Sequence, residues 1–351
     1  MSGVFSYANP PVIRWGRGSL AELPAELARL GGTRVAVVTT RSLAAEAASL
    51  LPLPEAPAAT VVIGQHAPVA EVERGAAEVE AAGADALVSL GGGSPIDAAK
   101  VIGRLVADRS ASPERSIPHV AVPTTLSVAE LASGAGITDA SGDKVGRRDP
   151  RMLPDAVIYD GELALRTPMR LWLSTGIRAL DHAVEGYLAD GEHPLSDALA
   201  LEAVRRLFAS LPLAAADPSD ASARTENQVA AWLSYTLPGP TAGGLSHTMG
   251  KQIGARHGIP HGVTSCLLLP HVMRYQAARH GTRLAELSRA TGSGGGALAA
   301  AEDVQDLIRR LDLPAHVAAF GLGEQELRAA AESLRVGVPA ADLLEIYLAA
   351  L

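Results

Sequence analysis

The chain has 351 residues, 48% apolar, 19% charged and 3% aromatic, with 35 glycines, 23 prolines and one cysteine. At about 150 residues per domain, this suggests roughly two domains, each able to bury a core, and it argues against disorder. A formal net charge of −8 argues against nucleic acid or an anionic membrane as partner, and Cys266 alone permits neither an internal disulfide nor a cysteine-built metal site.

No apolar run reaches the roughly 18 residues of a spanning helix. The opening MSGVFSYANPPVIRWG lacks a basic stretch followed by an apolar core, so a signal peptide is not expected. The expectation is a soluble, cytoplasmic protein. Scarce aromatics also speak against stacking platforms for single strands or sugars.

In chain order, residues 33–40, 60–63, 86–90, 120–122 and 156–159 read as buried strands, and residues 19–31 and 69–82 as helices between them. Continuous apolar strands separated by helices predict a parallel sheet covered on both faces. From about residue 161 the strand signal fades. Ile177, Leu180, Val184, Tyr187 and Leu188 recur at helical spacing, as do Leu201, Val204, Leu207 and Phe208. The expected organisation is an α/β domain over 1–160 and an all-helical domain over 161–351. No internal repeat is evident, and the glycine-rich residues 292–297 read as a flexible connection between helices.

Leu90-Gly-Gly-Gly-Ser-Pro-Ile-Asp97 follows a strand and opens a helix. Glycines there let a phosphate approach the backbone, where a helix N-terminus offers unpaired N–H groups; the plainer reading is a tight strand-to-helix turn. The usual GxGxxG dinucleotide fingerprint is absent. Pro123-Thr-Thr125 ends a second strand and brings hydroxyls to the same carboxyl-terminal edge of the sheet.

Four of the ten histidines fall between Gly244 and His271, and His182 sits on an earlier helix with Arg178, Asp181 and Glu185 on one side. His182, His247 and His261 can converge as neutral ligands for a divalent metal; alternatively they are hydrogen-bonded packing or surface histidines.

Together these segments resemble the iron-containing alcohol dehydrogenase family, and within it the maleylacetate reductase branch. The resemblance rests on GGGSPIDAAK at 91–100, VPTT at 122–125, DPRMLPDAVIYDGEL at 149–163, TGIRALDHAVEGY at 175–187, GLSHTMG at 244–250 and GIPHGVTSCLLLPHVMRY at 258–275. It implies a nucleotide-binding α/β domain, a helical domain of dehydroquinate synthase-like architecture, and an active site in the cleft between them. It implies that Gly92, Gly93 and Ser94, with Asp97 of the same motif, cradle the pyrophosphate of NADH or NADPH. Thr124, Thr125 and Lys144 would face the ribose and nicotinamide side. After the first strand, Thr40 and Arg41 replace the acidic residue that would repel a 2′-phosphate.

Metal-dependent members hold iron or zinc with one Asp and three His. The matching positions here are Arg178, His182, His247 and His261, so an arginine stands where the carboxylate is required. Each added charge at about 4 Å repels a dication by several kcal/mol at an effective dielectric near 20. A metal-free site is therefore expected, with Asp181, about 300° around the helix from Arg178, as the poorly aimed substitute ligand of a metal-dependent reading. A further histidine position of the metal enzymes is Lys251 here. Arg178 and Lys251 would supply positive charge and the three histidines protons or hydrogen bonds, suiting a small carboxylated keto-acid such as maleylacetate. The alternatives are a metal-dependent alcohol dehydrogenase, a dehydroquinate-synthase-like lyase, and a relative that only binds nucleotide. Leu126-Ser-Val-Ala-Glu130 departs from the branch, which places a Gly-Ser pair at Val128-Ala129. Family members commonly dimerise, and residues 1–15 would pair across such an interface.

Overall fold

The computed structural model describes residues 9–110, 114, 116–142, 144–191, 193–235 and 244–351. The chain divides into two compact units, Ala8–Thr167 with Asp220–Gln228, and Pro168–Ser219 with Val229–Leu351.

The first unit is built on strands β1 (Val12–Trp15), β2 (Val35–Thr40), β3 (Ala59–Ile63), β4 (Ala86–Gly91), β5 (His119–Pro123), β6 (Gly134–Thr138), β7 (Lys144–Arg148) and β8 (Ala156–Tyr159). Six of them form one sheet in the order β1-β8-β5-β4-β2-β3, parallel at every pairing. Helices α1 (Leu23–Leu30), α2 (Ala47–Leu50), α3 (Val69–Ala81), α4 (Gly93–Asp108) and α5 (Gly161–Ala164) alternate with the strands. The central strands β4, β5 and β8 are buried at every residue, as a sheet covered on both faces requires.

From β2 the chain steps outward to β3 and then returns to β4 on the other side of β2. That reversal is a topological switch point, and it opens a crevice at the carboxyl ends of β2 and β4. Thr40 ends β2 and Gly91 ends β4, so the glycine-rich turn stands at this point.

Three elements depart from the sequence reading. Val12–Trp15 forms the edge strand of the sheet, paired with β8, which the sequence pattern does not announce; residues 1–8 of the segment expected at a dimer interface lie outside the described residues. β6 and β7 form an antiparallel hairpin that the periodicity does not announce. Residues 292–297 form a hydrogen-bonded turn rather than a loose connection. Gly292, Gly294 and Gly296 take φ of +100°, +64° and +99°, and Ser293 Oγ donates to Asp303 at 2.6 Å.

The helical unit contains α6 (Met169–Tyr187), α7 (Pro194–Ala216), the end of α8 (Ala221–Ser234), α9 (Leu245–His257), α10 (His261–Thr291), α11 (Ala297–Arg310), α12 (Glu324–Ser333) and α13 (Ala340–Ala349). No strand occurs among its described residues. α6 is buried on every side from Trp172 to Val184. Its polar side therefore faces other helices, not solvent. Gly262 lets the start of α10 meet α6 closely, because a Cβ there would stand 2.8 Å from the Ser174 carbonyl. No described helix is long and apolar enough to cross a membrane.

Candidate active site

At the switch point of the α/β unit, Thr124 N donates to Gly91 O at 2.9 Å, which joins the ends of β4 and β5. Thr40 closes the other flank, its Oγ1 sharing a hydrogen bond with Ser42 Oγ at 3.0 Å. Gly92 caps α4 with no side-chain hydrogen bond, so the N–H groups of the first turn face the crevice unsatisfied by a side chain. A Cβ on Gly92 would stand 3.1 Å from Thr125 Oγ1, and one on Gly93 would stand 3.3 Å from Ser127 Oγ. Both hydroxyls are buried without a hydrogen-bond partner among the described residues. A cradle that only glycine leaves open, lined by unsatisfied hydroxyls at a helix N-terminus, fits the phosphates of a dinucleotide.

The other expected cofactor residues make contacts within the protein. Ser94 Oγ accepts from His66 N at 3.0 Å, which ties the helix start to a loop where His66 has a left-handed φ of 66°. Asp97 is committed to the protein itself, accepting from Gly136 N at 3.0 Å and pairing with Lys100 at 3.2 Å. Lys144 lies in β7, and its side chain is outside the described residues.

Beneath this edge the fully buried Lys100 donates to Ala129 O and, at 2.9 Å, to Gly134 O. Glu130 is 1% exposed, with Oε1 accepting from Tyr159 OH at 2.7 Å and Oε2 lacking a partner among the described residues. Burial pushes its carboxyl up to about 7, against the pull of Tyr159 and Lys100 and with a push from Asp97. The folded chain thus binds this proton more tightly than the unfolded chain. The stabilisation is complete below pH 4.5 and is lost as pH rises through about 7. The Glu130→Gln variant, which cannot titrate, is expected to gain about 3 kcal/mol on the native protein between pH 4.5 and pH 8. Denaturant unfolding at both pH values checks this; a constant difference would contradict it.

In the helical unit the polar side of α6 meets the starts of α9 and α10. Arg178 Nη2 donates to His247 Nε2, and Nη1 donates to Ser265 Oγ at 3.1 Å. Asp181 Oδ2 lies 3.7 Å from Arg178 Nη1 and accepts from Ser265 Oγ at 2.6 Å and Ser246 Oγ at 3.1 Å. This ion pair is buried, at 8% and 0% side-chain exposure, so it is not a surface helix-stabilising pair. Glu185, one turn further, caps α9 by accepting from Gly244 N at 3.0 Å, Ser246 N at 2.6 Å and His247 N at 3.4 Å. The cap fixes His247 against Arg178.

His182 packs its ring 4.6 Å from the His247 ring and edge-on to Tyr235 at 5.0 Å. Burial and then the nearby Arg178 charge hold both histidines well below the usual imidazole range, so both are neutral. A guanidinium only donates, so His247 Nε2 is an acceptor and its proton sits on Nδ1, 3.8 Å from Glu185 Oε2. Burial lowers Arg178 below the ordinary arginine value while Asp181 and Glu185 oppose the shift. Burial likewise raises Asp181 and Glu185 against the pull of Arg178.

Of the residues expected from sequence, Arg178, His182 and His247 touch one another. His261, half-buried at the first position of α10, and the exposed Lys251, one turn beyond His247, act on the His247 imidazole through their charge. The three histidines are not the donors that gather most tightly. Among the described residues, atoms of Asp181, Glu185 and His247 lie within 4.8 Å of one another. Ser246, Ser265, Glu185 and Tyr235 were not assigned from sequence. Ser265 was legible in principle, since it follows His261 by one helical turn. Tyr235 carries no sequence signal.

Residues 10–161 match the iron-containing alcohol dehydrogenase family, and residues 172–336 match its C-terminal region. A maleylacetate reductase of Burkholderia cepacia is 31% identical over 334 residues, covering 95% of this chain and 91% of that protein. The crystal structure of maleylacetate reductase from Rhizobium sp. superposes with a TM-score of 0.87 at 30% identity, covering 100% of this chain and 99% of that one. Sulfoacetaldehyde reductase from Bifidobacterium kashiwanohense, solved in complex with NAD+, gives a TM-score of 0.88 at 26% identity, covering 99% of each chain. The chain is an oxidoreductase that belongs to the iron-containing alcohol dehydrogenase family, in its maleylacetate reductase-like branch.

Proposed function

We propose that this protein is an NAD(P)H-dependent reductase of a small carboxylated, unsaturated keto-acid, of the maleylacetate reductase type, and that it works without a metal. The observation that carries the reading is the buried Arg178 guanidinium, bonded to His247 and Ser265 and 3.7 Å from Asp181. The residues present do not fit the metal that the family's name implies. Arg178 already occupies His247 Nε2, and two serine hydroxyls occupy Asp181 Oδ2. A dication about 4 Å from the guanidinium would meet a repulsion of several kcal/mol.

The dinucleotide fits the α/β unit on the cradle at Gly92 and Gly93, with Thr40, Ser94, Thr124 and Thr125 around it. When bound, its reduced nicotinamide supplies a hydride. The protein's own residues then have three tasks. Arg178 has a forked set of five donors, of which those not committed to His247 and Ser265 grip a substrate carboxylate or the oxygen on which charge develops. Hydride addition to the conjugated double bond moves an electron pair onto the ketone oxygen, and a proton must then reach the neighbouring carbon. His182 and His247, held neutral, orient and hydrogen-bond rather than act as acids. His261, or water beside it, is the route by which that proton arrives.

The test is oxidation of NADH and of NADPH with unsaturated and saturated keto-acids, with and without EDTA, on protein purified without chelator. Turnover of an unsaturated keto-acid that EDTA does not affect supports the reading. Stoichiometric iron or zinc with turnover of a simple alcohol instead supports a metal-dependent alcohol dehydrogenase, which the close set of Asp181, Glu185 and His247 would serve. Cofactor binding with no turnover on any keto-acid would leave a nucleotide-binding relative.

A further inference from the structure

Asp181 carries its charge into the interior of the helical unit. Its side chain is 0% exposed, and its Oδ2 collects groups from three helices. These are the Arg178 guanidinium of α6 at 3.7 Å, Ser246 Oγ of α9 at 3.1 Å and Ser265 Oγ of α10 at 2.6 Å. A buried ion pair is weak evidence for stability, because apolar residues of the same volume often hold a fold as well or better. What such a pair does supply here is a fixed arrangement of its charged members.

The Ser265 hydroxyl shows what is fixed. It has one proton, and a carboxylate only accepts, so that proton goes to Asp181 Oδ2. The Ser265 oxygen is thereby turned to accept from Arg178 Nη1 at 3.1 Å. Arg178 Nη2 is committed to His247, which Glu185 fixes in turn through the cap on α9. Held at both terminal nitrogens, the planar guanidinium cannot turn about its own axis. The donors not used in these two bonds then point in directions that the protein sets before any ligand arrives. Without Asp181 the Ser265 hydroxyl is free to rotate, and the guanidinium is held from the His247 side alone.

We propose that Asp181, through its charge and through Ser265, is a positioning residue that aims the Arg178 guanidinium at the carboxylate or the developing oxyanion of the substrate. This rests on the reading of Arg178 as the group that grips substrate. The expected cost of losing Asp181 falls on turnover, not on binding. A guanidinium released from Asp181 still attracts a carboxylate, with one negative charge fewer competing for it. It no longer stands pre-aligned where charge develops during hydride transfer.

The experiment measures steady-state NADH oxidation by the full-length protein with maleylacetate and, as an uncharged control, crotonaldehyde. Asp181→Asn keeps the shape and an acceptor oxygen but not the charge. It is expected to lower kcat for maleylacetate about tenfold with KM unchanged or lower, and kcat for crotonaldehyde by no more than about twofold. Ser265→Ala leaves the ion pair whole and should lower kcat for maleylacetate about threefold with the same split. It decides the matter if Asp181→Asn does not fold. In an Arg178→Lys background, Asp181→Asn should cost less than about twofold more, since a residue that acts through the fork loses its effect once the fork is gone. Native kinetics in both single variants, a raised KM in place of a lowered kcat, equal losses on the two substrates, or additive losses in the double variant would each overturn the proposal and leave the reading of Arg178 standing. That reading fails separately, if the native protein turns over no unsaturated keto-acid or if Arg178→Lys alone loses equally on both substrates.

Discussion

Arg178→Ala is expected to lower kcat/KM for a carboxylated keto-acid by about 10³-fold, and for an uncharged aldehyde by no more than about tenfold. The asymmetry is the point of the measurement. A forked guanidinium distinguishes substrates by the carboxylate it grips, whereas a residue that only holds helices together would cost both substrates equally. Removing Arg178 also strands Asp181, which is wholly buried beside it. A buried pair broken on one side destabilises by about 3–5 kcal/mol, so the alanine protein needs its unfolding midpoint measured alongside its kinetics. Arg178→Lys addresses this, because it keeps a positive charge near Asp181 but cannot form the fork that also bonds His247 and Ser265. It should fold nearly as well as the native protein and still lose about 10²-fold on the carboxylated substrate. Equal losses on charged and neutral substrates in the lysine variant would show that Arg178 does not contact substrate charge.

How much of this was legible in the sequence depends on what sets each feature. β2, β4, β5 and β8 read within one or two residues of their observed limits, because strands buried on both faces must be continuous apolar runs. β1 lies at the sheet edge and is half exposed, so its four residues carry no such run. The β6–β7 hairpin is set by tertiary contacts, Asp97 on Gly136 and Lys100 on Gly134, which no local pattern encodes. The identities Arg178, His182 and His247 came from the resemblance, which matches them to the family's metal-ligand positions. The geometry that matters chemically did not. Glu185 reaches the N–H groups of α9 across about 60 residues of chain, and only that cap shows why His247 is fixed with its proton on Nδ1. The expectation of a poorly aimed Asp181 fails on helix geometry itself. A rotation of 300° is 60° the other way, which puts Asp181 on the same face as Arg178, and Ser246 and Ser265 from two other helices hold Oδ2 3.7 Å from the guanidinium.

Gly93→Val should raise the dissociation constant for NADH by at least about 10²-fold while changing folding stability by less than about 1 kcal/mol. The two effects separate because of where Gly93 sits. It is the first residue of α4 and its backbone is ordinary for any amino acid, so valine there meets only a weak helix penalty. Space is what the glycine supplies. A Cβ would already come 3.3 Å from Ser127 Oγ and 3.7 Å from Ala129 Cβ, which is tight but tolerable for the unliganded protein. The two methyl groups of valine would fill the room between the helix start and the Ser127–Ala129 segment. A phosphate has to occupy that room if it is to reach the backbone N–H groups, and the segment cannot yield freely. Lys100 clamps Ala129 from beneath, and Val128 is already in a strained conformation. The collision must then be resolved by excluding the ligand. Gly93→Ala, with a single methyl, should give an intermediate loss of about tenfold. Graded loss across glycine, alanine and valine, with far-ultraviolet circular dichroism unchanged, would establish close backbone approach as the basis of binding. Unchanged NADH affinity in the valine variant would remove the dinucleotide from this end of the sheet.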